Sequence, residues 1–237
     1  NSPDAMVRVM DRCGVTRTIL SSHLAIQLDA ATGNDATAAA VSAHPGRLSG
    51  YLVLNPWQDP RAELERWAGD DRFVGIKLHP SLHHYPLTGP RYAPAFEYAE
   101  LTGCPVLTHT QTGSSWDNLS VVGSVAERHP AATILAGHSG ITPTGFDEAI
   151  DVARRMPNVV LEVCGSFMHG DVIARMVGEL GSDRVVFGSD FPFIDLRMSL
   201  GRVLFAALSE PDRAAVLGGT MSGLLNRRRS PHATLVR

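Results

Sequence analysis

The chain has 237 residues, 44% hydrophobic and 19% charged, and a formal net charge of −3 at pH 7. That length suits one barrel-sized α/β domain over residues 1–237 better than two small ones. The slight acidic balance gives no basic field for nucleic acid or an anionic membrane, and no apolar run approaches the roughly 18 residues of a membrane span.

No signal-peptide pattern opens the chain. Three widely spaced cysteines (Cys13, Cys104, Cys164) argue against a disulfide framework, which makes a reducing cytoplasm the expected location. The chain begins at Asn1 rather than at methionine, which predicts a fragment or a processed chain, incomplete at its N-terminus.

In chain order, Ser2-Pro3-Asp4 predicts a capped helix start, with Met6, Val7, Met10 and Cys13 at helical spacing and Gly14 at its end. A first strand is predicted at 16–22, a helix from Asp29 to Val41, and a strand at 48–55. Pro60 to Ala68 reads as a helix and is followed by the apolar run FVGIKLH. The stretch PSLHHYPLTGP reads as a loop. A helix over Ala93–Leu101 leads into a strand at 105–109. Asn118–His129 is helical before ATILAGH, Phe146–Met156 before the strand at 158–164, and Asp171–Leu180 before RVVFGSD at 184–190. The tail is predicted to hold helices over Leu200–Leu208 and Pro211–Leu225.

Strict alternation of helix and strand with short connections is the signature of a parallel α/β architecture. Seven strands are counted. Four of them end in a residue able to hold a metal or a proton: Lys77 and His79, His109, His138, and Asp190. Polar residues at the ends of four separate strands converge in a closed barrel, whereas an open sheet gathers its site at one switch point. The predicted fold is therefore a (β/α)₈ TIM-type barrel whose first strand is absent from this chain.

His109 ends the run PVLTHT, where a neutral imidazole can bind a divalent metal; the plain alternative is a histidine that satisfies loop backbone. The same pair of readings applies to His138 in AGHSG. Asp190 in GSDFP is a carboxylate at a buried strand end, which needs a partner or a metal. Lys77 lies in the apolar context GIKLHP and must be charge-paired, pKa-shifted or modified; a structural ion pair with Glu162 or Asp190 is the alternative. Glu162 reads as a structural inward acid. His79, His83 and His84 lie on the following loop, where one can contact substrate. His23 can face the pocket, whereas His44, His129 and His232 are predicted to be peripheral and Arg227–Arg229 a solvated end. Cys164 can line the pocket, but it has no histidine or acid beside it in sequence to activate it as a nucleophile.

Taken in order, GIKLHP, PVLTHT, ILAGHSG, VVFGSDFP and LGGTMSGLL resemble the amidohydrolase superfamily. The likeness is closest to its amidohydrolase-2 group, typified by aminocarboxymuconate-semialdehyde decarboxylase, and it spans almost the whole chain. It implies that His109 and Asp190 bind metal, most simply Zn. It further implies that His138 binds metal or moves a proton, that Asp190 is the general base, and that Lys77, His79 and His84 hold substrate. Superfamily members that carry a carboxylated lysine have it where Lys77 falls. A homodimer is implied by the same resemblance. Two departures are visible: no H-x-H pair occurs in this chain, and Thr220 stands where the group has Asn.

The leading expectation is a metal-dependent hydrolase of a small carboxylate-bearing amide, ester or lactone, acting through metal-activated water. Asp190 would shuttle the proton and His138 would stabilise the oxyanion. The alternative is a metal-dependent decarboxylase of a small aromatic or dienyl acid. A metal-independent lactonase and a non-catalytic barrel are further alternatives.

Overall fold

The computed structural model describes residues 2–229; His232 lies outside them. Seven parallel strands are hydrogen-bonded strictly in chain order: β1 (Thr18–Leu20), β2 (Leu48–Val53), β3 (Phe73–Leu78), β4 (Val106–His109), β5 (Ile134–Gly137), β6 (Val159–Glu162) and β7 (Val185–Val186). Sequential order without reversal is what a barrel requires, whereas a doubly wound sheet reverses at its switch point. The sheet curls until the residues after β1 meet those after β7: the His23 and Phe193 rings lie 5.0 Å apart. Among the described residues β1 and β7 do not pair, so the fold is a TIM-type barrel lacking one strand.

The helices are α1 (Pro3–Arg12), α2 (His23–Gln27), α3 (Ala30–Ala43), α4 (Pro60–Trp67), α5 (Pro80–His83), α6 (Ala93–Thr102), α7 (Leu119–Arg128), α8 (Pro143–Arg155), α9 (Gly170–Leu180), α10 (Leu196–Leu204), α11 (Glu210–Ala214) and α12 (Thr220–Asn226). Side-chain caps fix many starts. Ser2, Asp29, Asn118 and Thr142 each accept a hydrogen bond from the backbone N–H three residues on.

β1 and β7 are shorter than predicted and α2 is not among the predicted elements; three further differences have local causes. The loop after β3 contains α5, because Pro80 starts a helical turn and His79 Nδ1 accepts the Leu82 N–H at 3.4 Å. The predicted helix over 200–208 begins earlier, at Leu196, where Asp195 caps it. The predicted helix over 211–225 breaks into α11, a wide turn over Ala215–Gly219 and α12, where the Gly218-Gly219 pair gives the backbone freedom to leave helical geometry.

Alternation along the strands sends side chains to two cores. Leu52, Leu54, Ile76, Leu78, Val106, Ile134, Leu161 and Val185 pack outward against helical residues such as Phe96, Val122 and Phe146. Tyr51, Leu135, Val160 and Val186 fill the interior, where Leu224 and Met221 of α12 join them. Beyond α12, the Arg228 guanidinium donates to Phe73 O at the start of β3, and Arg229 N donates to Thr102 O just before β4. The C-terminal segment therefore floors the barrel at its N-terminal end rather than being a purely solvated tail. Thr220 is anchored there by its hydroxyl, which donates to Ser182 O at 2.8 Å.

Phe96 is 2% exposed and stacks on His129 with centroids 5.2 Å apart. Phe96→Ala is expected to lower unfolding stability by about 3–5 kcal/mol, read from chemical denaturation midpoints.

Candidate active site

Every strand from β3 to β7 delivers a polar residue at or just beyond its C-terminal end. Lys77 comes from β3 and His79 from the turn after it, His109 ends β4, and His138 follows β5. Glu162 ends β6 with Cys164 two residues on, and Asp190 follows β7. The rings of His79 and His109 stack at 4.1 Å, and those of His109 and His138 meet edge-on at 4.8 Å. Lys77 is buried and acts electrostatically on His79, His109, His138, Glu162 and Asp190. The three rings, Glu162 and Cys164 lie together beside Lys77, with Asp190 at the rim.

His109 Nδ1 is buried and has no hydrogen-bond partner. Burial, followed by the positive charge of its neighbours, holds His109 down to about 2 and His138 down to about 3. Both imidazoles are therefore neutral at neutral pH, the form that a metal requires. An orphaned buried nitrogen beside a second neutral imidazole fits a divalent cation well. Two groups of potential ligands occur among the described residues, His79–His109–Asp117 and His138–Glu162–Cys164. Asp190 belongs to neither and stands exposed at the rim, near Lys77 and His23. Its backbone is left-handed, with φ 55, and partial burial raises its carboxyl above the usual range.

Lys77 makes no ion pair with Glu162 or Asp190 among the described residues, although both act on it from a distance. Burial pulls its ammonium pKa down, and the acidic groups around it, Cys164, Glu162, Asp190 and Asp117, oppose that pull. His79 is half-buried; because Nδ1 accepts from Leu82 N, its neutral form carries the proton on Nε2 as a donor. His84 lies apart from the cluster, exposed, with its ring 6.4 Å from that of Trp116. His83 is a buried structural residue held by Tyr92 Oη and Ile26 O.

Asp117 escaped the sequence analysis, and the partners of Cys164 were not foreseen. Asp117, on the loop after β4, is fully buried and accepts from Ser81 N and Ser81 Oγ at 2.7–3.1 Å. Its signal was an acid in a long loop after a histidine-bearing strand. Cys164 has no histidine or acid adjacent in sequence, yet its Sγ lies 2.9 Å from His138 Nδ1 and donates to Glu162 Oε2 at 2.8 Å. Gly188 makes room for that carboxylate: a Cβ there would fall 1.3 Å from Glu162 Oε1.

A sequential parallel barrel with histidines, a carboxylate and a buried lysine at its C-terminal rim defines an amidohydrolase-type barrel enzyme. The amidohydrolase family model matches residues 10–220, and the chain belongs to that family. It is 25% identical to a gamma-resorcylate decarboxylase of Polaromonas sp., over 95% of this chain and 88% of that protein. A gamma-resorcylate decarboxylase of Rhodococcus jostii is likewise 25% identical, over 90% and 84%. In structure the chain resembles a dihydroxybenzoic acid decarboxylase from Polaromonas sp. with bound manganese and 2-nitroresorcinol. The TM-score is 0.74 and the identity 21%, over 95% of this chain and 86% of that one. Hydrolysis, the leading expectation from the sequence, is overturned by these relatives, which are decarboxylases matched along nearly their whole length. The two activities share one constellation of metal and acid, so motifs alone did not separate them. No described helix is long and apolar enough to cross a membrane.

Proposed function

We propose that the chain is a metal-dependent decarboxylase of a small conjugated acid, best represented by a hydroxylated benzoate. The observation that carries this reading is the likeness to two decarboxylases along at least 90% of the chain. The unpartnered Nδ1 of His109 supports the metal. A divalent cation held by His109 and Asp190, with His138 beside it, would polarise the substrate's carboxylate and neighbouring hydroxyl. Imidazole nitrogen suits zinc and carboxylate oxygen suits manganese, so this donor set fits either ion.

Decarboxylation breaks the bond between the ring carbon and the carboxylate and releases CO₂, and the ring carbon gains a proton. Asp190, at the rim beside the cation, would relay that proton to the ring carbon. Lys77 and the Nε2–H of His79 orient the anionic substrate, and His138 handles the ring hydroxyl.

Asp190→Asn is expected to lower kcat by about 10²–10⁴-fold. Asparagine accepts a left-handed backbone, so the fold should persist. Release of CO₂ from 2,6-dihydroxybenzoate and related hydroxybenzoates, assayed with and without chelator, tests the reading. A metal-replete chain that releases none from any of them would overturn it.

A further inference from the structure

Cys164 is fully enclosed, and its Sγ touches two groups at once, His138 Nδ1 at 2.9 Å and Glu162 Oε2 at 2.8 Å. Four ligands around a zinc ion would stand ~3.5 Å from one another, given metal–ligand lengths of about 2.0–2.3 Å. At 2.8–2.9 Å the side chains stand in direct contact, closer than ligands of one ion, so they read as a bonded chain rather than as an ion cage.

Donors and acceptors then decide the proton positions. Glu162 Oε2 also accepts the backbone N–H of His138 at 3.0 Å, and a backbone N–H can only donate. The Cys164 thiol is the donor in the second contact, so Oε2 as a carboxylate oxygen accepts both and the single thiol proton points at it. That leaves Sγ with only lone pairs for the imidazole, so Nδ1 must carry a hydrogen and donate it. The other nitrogen of the ring, Nε2, is left with a lone pair and no protein partner among the described residues. Gly188 leaves the space in which Glu162 sits, and Ser139 Oγ donates to Glu162 O at 2.9 Å, tying the β6 end to the His138 loop.

We propose that Cys164 is a positioning residue that, with Glu162, locks His138 in the Nδ1–H tautomer and so presents Nε2 to the active site as an acceptor. The catalytic use of that lone pair rests on the decarboxylase reading, where it takes the hydrogen of a substrate hydroxyl. Electron density on that oxygen then flows into the ring and favours protonation at the carbon that loses CO₂. No bond to sulfur forms or breaks. The thiol serves only as a fixed hydrogen-bond bridge, which separates it from a nucleophile or a redox group.

Histidine-selective ¹⁵N NMR of the full chain, as purified and zinc-loaded, tests the tautomer without any substrate. The wild-type His138 is expected to show a protonated Nδ1 and an unprotonated Nε2. Cys164→Ala removes the bridge and is expected to shift the ring toward the Nε2–H form; Cys164→Val, which fills the site with apolar atoms, should do the same. Cys164→Ser keeps a donor and an acceptor and should restore the wild-type pattern. On a hydroxybenzoate substrate the alanine and valine variants are expected to lose about 10–100-fold in kcat, the range for groups that orient a catalytic histidine, with KM within about twofold. Serine should recover most of that loss. An Nε2–H tautomer in the wild type, or a serine variant with the alanine variant's spectrum, would overturn the proposal. Spectra as expected with no turnover on any hydroxybenzoate would instead sink the decarboxylase reading and leave the role of Cys164 standing.

Discussion

His109→Ala is expected to abolish metal uptake and, with it, turnover. The imidazole ends β4, is buried beside His79 and His138, and holds a nitrogen that no protein group satisfies. Removing it takes away the best-placed nitrogen donor and leaves a small void, because its stacked neighbour His79 already uses Nδ1 to hold α5. Metal per chain by elemental analysis should fall to background in this variant. His84→Ala is the matched control: its side chain is exposed near Trp116 and away from the cluster, so metal content should stay at the parent level. Equal metal content in both variants would remove His109 from the ligand set.

Gly188→Ala is expected to be nearly as damaging, although glycine has no side chain to contribute. The added methyl would overlap Glu162 Oε1, and β7 cannot retreat because Phe187 N is bonded to Val216 O at 2.9 Å. Glu162 must therefore swing away, leaving the thiol of Cys164 and the backbone N–H of His138 without their acceptor. Overpacking of this kind costs about 1–3 kcal/mol, and each buried donor left unpaired adds about 1–3 kcal/mol. Thermal denaturation should show the loss, and kcat should drop by at least the 10–100-fold expected for losing the Cys164 bridge. A variant with parental stability and turnover would show that Glu162 has other room.

The barrel was legible in the sequence because it rests on local signals. FVGIKL is six buried residues in a row, and helix caps such as Ser2, Asp29 and Asn118 stand at their expected starts. The rim positions of Lys77, His79, His109, His138 and Asp190 followed from where apolar runs stop. The shortness of β1 and β7 was less visible, since each pairs with only one described neighbour and local propensity does not register a missing partner. The contacts of Cys164 were invisible for a different reason. The one to His138 joins residues 26 positions apart at the ends of adjacent strands, and only the register of β5 against β6 brings them together; the one to Glu162 lies along the end of β6 itself. His84 misled because a histidine pair on a loop looks alike at both positions, whereas the turn of α5 buries His83 and exposes His84. Decarboxylation was beyond the motifs altogether, since one set of donors serves two reactions.

The backbone from His138 to Ile141 runs through four left-handed residues, with φ of 65, 47, 86 and 68. Only Gly140 adopts that shape freely, and Ile141, being β-branched, resists it most. The loop is held by Thr110 Oγ1 accepting from Gly140 N, Thr112 N donating to Gly140 O, and Ser139 Oγ bonded to Glu162 O. Those restraints come from beyond β4 and from β6, so the seat of His138 depends on the whole upper rim being closed. A brief opening of the rim would let the loop uncoil and carry the imidazole off target while the hydrophobic layers below stay shut. The rim is thus expected to open locally at lower energy than the barrel that carries it, so that on heating activity should be lost before the fold.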